Sequence, residues 1–170
     1  MKFGVGLALA LATIILSACG APKSVEGGWR KMTAAEVEAA KKAALSENDF
    51  LKAPPALSVT GDFNGDGRRD EAAFWVNAQD AALFFLSGTG AAPQRLSDPR
   101  PRGELVNASL AVLPPGVYPT ACSRGMGDDS TPCRATITLS APGIEHITWE
   151  SASVVYFWNG ASFDVEGLSD

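Results

Sequence analysis

Hydropathy along this 170-residue chain changes rhythm three times. Residues 7–16, LALALATIIL, are an unbroken apolar run, and residues 20–28, GAPKSVEGG, have no period at all. The alanine-rich stretch AAEVEAAKKAAL follows Thr33, and its composition predicts a short helix. Thr33 with Glu36 three residues on forms a capping box, Met32 is placed to staple onto Val37, and Glu38 can pair with Lys42. The helix has a mostly alanine face and is expected to rest on a sheet, with Ala53-Pro54-Pro55 closing the region. From Leu57 onward the pattern becomes strand and turn. EAAFWVN and AALFFLS are apolar runs of strand length separated by the polar Asn77-Ala78-Gln79-Asp80. GELVNASLAVL follows the proline-rich SDPRPRG. RATITLS and IEHITWE flank Ala141-Pro142-Gly143, which suits a type II turn, and SASVVYFW and ASFDVEGL flank Asn159-Gly160, a two-residue hairpin signal. Six or more short strands at this spacing predict a mainly β fold, an antiparallel sandwich or small barrel with one short N-terminal helix.

One polar stretch within this pattern carries candidate chemistry. Residues 61–74 read GDFNGDGRRDEAAF, placing Asp62, Asn64, Asp66 and Asp70 within nine positions with glycines between them. Calcium takes six to eight oxygens from a sharply turning loop. Counted from Asp62, side-chain oxygens arrive at positions 1, 3, 5 and 9, and Arg68 at position 7 would offer its backbone carbonyl and point its guanidinium outward. Gly65 and Gly67 permit backbone angles that a Cβ forbids. An EF-hand would need a bidentate Glu at position 12 and helices on both sides; position 12 is Ala73, and the flanks ALSVTGDF and EAAFWV read as strands. Over about residues 59–75 the stretch resembles instead the FG-GAP or VCBS-type calcium loop, which joins two strands. That resemblance implies Asp62, Asn64, Asp66, Arg68 and Asp70 as ligands of one calcium ion with a structural role, held at about 10⁻⁴–10⁻³ M as in extracellular modules. The multi-bladed propeller that usually surrounds such loops is absent. The competing reading is a turn whose Asx side chains cap their own backbone amides.

The N-terminal run has the marks of an export signal: Lys2 at its start, an apolar stretch too short to span a bilayer comfortably, and small residues at its end. Leu16-Ser17-Ala18-Cys19 resembles the lipobox of bacterial lipoproteins, which implies cleavage before Cys19 and acylation of that residue. An ordinary secretory peptide cut after Ala18, or an uncut anchor, is the alternative. Stable anchoring takes more than one acyl chain, and lipoproteins of this type carry three. Gly20 after the cysteine implies, by the same resemblance, the outer membrane, with the inner membrane not excluded. The organisation expected is therefore a signal peptide over 1–18, a lipidated Cys19 and flexible tether over 19–28, and one mainly β domain over 29–170. About 150 residues suffice for a real core.

The chain has three cysteines. Lipid on Cys19 leaves Cys122 and Cys133, and an oxidising periplasm favours a disulfide between them. Two thiols and the single His146 are too few for a four-ligand zinc site. Lys and Arg total 14 against 19 Asp and Glu, a net charge of −5, and no basic patch interrupts them, which argues against nucleic acid as a partner.

Other candidates carry less. His146 lies in line with Ile144 and Thr148 on one face of a strand and is expected to be a hydrogen-bonded structural histidine, with no nucleophile motif beside it. Asp128-Asp129 is an acid pair in a polar loop. Trp149, Tyr156, Phe157, Trp158 and Phe163 fall in the last two hairpins and are either core or a partner-binding rim. The expected function is that of an outer-membrane or periplasmic lipoprotein whose calcium-stabilised domain binds an unidentified periplasmic protein or envelope component without catalysis. The alternative is a periplasmic inhibitor of a cell-wall hydrolase, by a loose likeness to lysozyme inhibitors in SASVVYFWNG. A hydrolase ranks last, because nothing marks a nucleophile, base or oxyanion site.

Overall fold

The computed structural model of the chain describes residues 25, 27–125 and 134–169. The expected leader, Cys19, Asp128-Asp129 and Cys133 lie outside the described residues. The fold is mainly β, with antiparallel pairing throughout and no closed barrel.

The helix α1 spans Ala34–Glu47, and Thr33 and Glu36 form the reciprocal capping box expected of them. Met32 and Val37 both pack against the main core, and Ala44 is buried. The charged pair on its surface differs from expectation. Glu38 meets Lys41 at 3.2 Å, one turn position nearer than Lys42; positions i+3 and i+4 are both within reach on a helix face. The Asn48 amide caps the other end, donating to the Ala44 and Val106 carbonyls.

The first sheet contains β1 (Arg30–Lys31), β2 (Ser58–Gly61), β3 (Asp70–Val76), β4 (Asp80–Leu86), β5 (Gln94–Arg95) and β6 (Arg100–Pro101). β3 and β4 form its centre, β1 and β2 pair along β3, and β5 and β6 pair along β4. The second sheet has the order β12-β11-β10-β7, from β7 (Ala108–Leu113), β10 (Gly143–Thr148), β11 (Ala152–Trp158) and β12 (Phe163–Ser169). Strand alternation divides the side chains. Ala72, Phe74, Val76, Leu83 and Phe85 of the first sheet meet Leu110, Ile144 and Tyr156 of the second in one continuous core. The opposite face of the first sheet carries Trp75 stacked on Phe84 at 4.9 Å, with Trp29 tilted against Phe84 at 5.4 Å. Residues 56 and 57 stitch one margin of the sandwich: Ala56 accepts the Leu110 amide and Leu57 the Phe74 amide.

Three local expectations give way to tertiary demands. Residues 103–107 belong to a 3-10 turn, Arg102–Asn107, where a strand was predicted. Pro99 and Pro101 remove two backbone donors just upstream, so the ladder there is confined to the two residues of β6; the chain then tightens, buries Leu105, and resumes pairing at Ala108 opposite Thr148. RATITLS and IEHITWE do not form a hairpin. β9 (Thr136–Leu139) pairs with β8 (Gly116–Pro119) in a separate two-stranded sheet, while β10 pairs with β7 and β11. Ile137 and Leu139 cover Val155 and Phe157 on the outer side of the second sheet, and that burial outweighs the local turn. Finally, the β11–β12 connection takes four residues, since Trp158 pairs with Phe163. The Asn159 carboxamide oxygen accepts the Ala161 and Ser162 amides, which holds the longer loop.

Candidate functional site

The acidic stretch connects β2 to β3, and Gly61 pairs directly with Asp70 at its base. It is a strand-to-strand loop, as the rejection of an EF-hand required. Gly65 and Gly67 both sit at positive φ, 72° and 81°, and let the chain reverse within a few residues.

Asp62 organises the first half of the loop. Its Oδ1 accepts the Asp66 amide and its Oδ2 the Gly67 amide, each at 2.9 Å. Asn64 Oδ1 accepts the Asp66 amide as well, at 3.1 Å. Asp66 Oδ1 accepts the Arg68 amide at 2.8 Å, and its Oδ2 accepts from Asn64 Nδ2 at 3.2 Å. Asp66 and Arg68 are exposed, and Asp62 and Asn64 are half-buried.

Asp70 is of another kind. It is 1% exposed, and its two oxygens accept the backbone amides of Phe63, at 3.0 Å, and Gly88, at 2.8 Å. Gly88 follows β4, so Asp70 ties the loop to a second turn. The approach is close: a Cβ at Gly88 would stand 2.6 Å from the Arg69 carbonyl oxygen. Nothing in the local pattern of Ser87-Gly88 marks it as part of this site, because the contact depends on the register of β3 with β4.

The loop therefore carries its oxygens on a hydrogen-bonded turn. Among the described residues, no three acidic, histidine or cysteine side chains gather as closely as a metal ion would hold them. The donor chemistry nonetheless fits calcium. An ionised carboxylate offers about four lone-pair sites, and the hydrogen bonds above use only about half of those on Asp62, Asp66 and Asp70.

The remaining candidates are distributed through the fold. Cys122 lies in the 3-10 turn Ala121–Arg124, and its expected partner Cys133 is outside the described residues. Tyr156 and Phe157 are buried on opposite faces of β11, and Phe163 packs on Phe85 at 4.7 Å, so these aromatics belong to the core. Trp158 is half-buried and lies edge-on to Phe163 at 5.4 Å. Trp149 lies edge-on to Phe50 at 6.2 Å, near the end of α1.

His146 differs from expectation. It faces the main core from β10, edge-on to Phe74 at 5.2 Å, and its ring makes no hydrogen bond among the described residues. Burial, with the positive charge of Arg100, pushes its pKa down to about 4, so the ring is neutral at neutral pH.

A charged cluster that the sequence pattern did not single out sits at the start of α1. Glu36 accepts a two-pronged contact from Arg30, at 2.7 and 2.8 Å, and a third from Arg102 at 2.8 Å, besides the Thr33 amide. These bonds, Arg30 first, hold its carboxyl well below the usual carboxylate range. Only the capping box was legible from spacing; the two arginines converge through the fold.

No protein-family model, curated protein or solved structure matches this chain.

Proposed function

We propose that this chain is a lipid-anchored envelope protein, attached through Cys19 and facing the periplasm, whose β domain binds a protein or envelope component and performs no chemistry. One calcium ion braces the 62–70 loop, held by Asp62, Asn64, Asp66 and Asp70 with the Arg68 carbonyl. A Cys122–Cys133 disulfide closes the polar excursion between them. The outer membrane is the proposed location.

The observation that carries the structural role of the ion is the position of Asp70. A carboxylate that is 1% exposed and spends both oxygens on backbone amides from two different turns is a fastener between strands. An ion on the same loop would neutralise the Asp62, Asp66 and Asp70 charges and extend that fastening outward. Calcium supplies charge balance there and no reaction step.

The anchor is tested by acyl labelling of the full chain and of a Cys19→Ser variant: label on the first and none on the second is expected, and label on both, or on neither, overturns it. The binding role is tested by crosslinking the full-length protein in its native envelope. One recurrent envelope partner supports the reading. A cell-wall hydrolase, inhibited on addition of the purified protein, would replace it with the inhibitor reading.

A further inference from the structure

A second site lies away from the acidic loop, where the chain leaves the first sheet for the second. Residues 97–107 cross between the sheets there, and beneath them opens a pocket of about 130 Å³. Its floor is apolar, formed by the buried Phe74, Leu105 and Ala108. One wall is His146, and Arg100 stands at the rim.

Two polar groups in this pocket have unspent hydrogen-bonding capacity. Neutral imidazole has one donor and one acceptor nitrogen, and His146 uses neither within the described residues. Its ring is half-buried and its nitrogens open to the pocket side, so a ligand can take up a ring nitrogen without breaking a bond within the protein. Arg100 has a five-donor fork, and among the described residues its one ion pair is a long contact of 3.5 Å to Glu104 in an exposed setting. Arginine forks match carboxylates in geometry. The size is also restrictive: an apolar cavity of about 150 Å³ accommodates benzene.

We propose that this pocket binds a small monocarboxylate with an apolar body of about one six-membered ring, the body on Phe74, Leu105 and Ala108 and the carboxylate between Arg100 and His146. Asp98 and Glu104 also line the mouth, so a second negative charge on the ligand meets repulsion there. Dicarboxylates are therefore disfavoured. The site shares no residue with the acidic loop and does not rest on calcium or on the lipid anchor.

His146 is the only histidine, so its ring gives one assignable NMR signal. The full-length protein in detergent micelles, labelled at histidine, is titrated with benzoate, benzamide and glutarate, once in chelator and once in calcium. Benzoate is expected to move the signal saturably in the millimolar range in both media, with benzamide and glutarate at least ~10-fold weaker. Arg100→Gln, at an exposed position, should weaken benzoate by at least ~10-fold while leaving the melting temperature and the circular dichroism of the free protein in place. Ala81→Leu, which fills the pocket, should abolish the response; if that variant misfolds, the Arg100→Gln result stands by itself. No saturable shift at tens of millimolar, equal binding of benzamide, or an unchanged affinity in Arg100→Gln each overturns the proposal.

Discussion

Asp70 Oδ1 accepts the backbone amide of Gly88 at 2.8 Å, while its Oδ2 holds the amide of Phe63 at 3.0 Å. One buried carboxylate thus fixes the β2–β3 loop and the turn after β4 together. Removing it orphans two amides at once. Asp70→Ala should lower unfolding free energy by about 2–4 kcal/mol in urea titrations, and Asp70→Asn, which keeps one acceptor oxygen, by less. An Asp70→Ala loss under about 0.5 kcal/mol would show that the fastener is dispensable.

Calcium should raise the melting temperature of the full-length protein, and Asp66→Ala should remove most of that rise. Asp66 is exposed and donates nothing to the core, so the variant's stability in chelator should change by less than about 1 kcal/mol. Coincident melting curves in calcium and in chelator would refute an ion at this loop.

Glu36 links β1, the start of α1 and the 3-10 turn through Arg30 and Arg102. Its folded pKa is depressed, so its contribution is fully present above the unfolded carboxyl value of about 4.3 and lost as pH falls below it. The partners are about one-third exposed, so screening limits the charge contribution to about 1 kcal/mol. Glu36→Gln preserves the capping chemistry and should differ from the parent at pH 7 by that amount. The difference should shrink as pH falls from 5 to 3; a constant gap would assign the effect to packing.

Glu150 holds a φ of 54° in the β10–β11 connection, a region that side chains with a Cβ avoid. Glu150→Gly should therefore stabilise by about 0.5–1 kcal/mol, read as a higher denaturation midpoint at unchanged slope. Glu150→Val should do the opposite, since a β-branched residue is worst placed there.

Much of this fold was legible wherever a local rule and the tertiary environment agree. Thr33 with Glu36 announced the start of α1, and the EAAFWVN and AALFFLS runs announced β3 and β4. The oxygen spacing of the 62–70 loop and its strand flanks were also readable. What spacing could not supply is anything made by long-range register. Gly88 reaches Asp70 only because Glu71 pairs with Leu86. Arg102 reaches Glu36 only because the crossover returns to the helix. The Ala141-Pro142-Gly143 turn misled because Ile137 and Leu139 had a better apolar surface to cover than a hairpin would give them. His146 misled for a related reason: its strand was readable, but the absence of a nearby acceptor was not.

The hairpin of β8 and β9 laid across the second sheet has a kinetic consequence. β11 is flanked by strands on both edges and covered on both sides, by Phe74, Leu83 and Phe85 of the first sheet beneath and by Ile137 and Leu139 above. Its amides can meet solvent only when the whole molecule opens, whereas β12 can fray from the margin. Deuterium should therefore enter Val155 and Tyr156 last of all, at the rate of global unfolding.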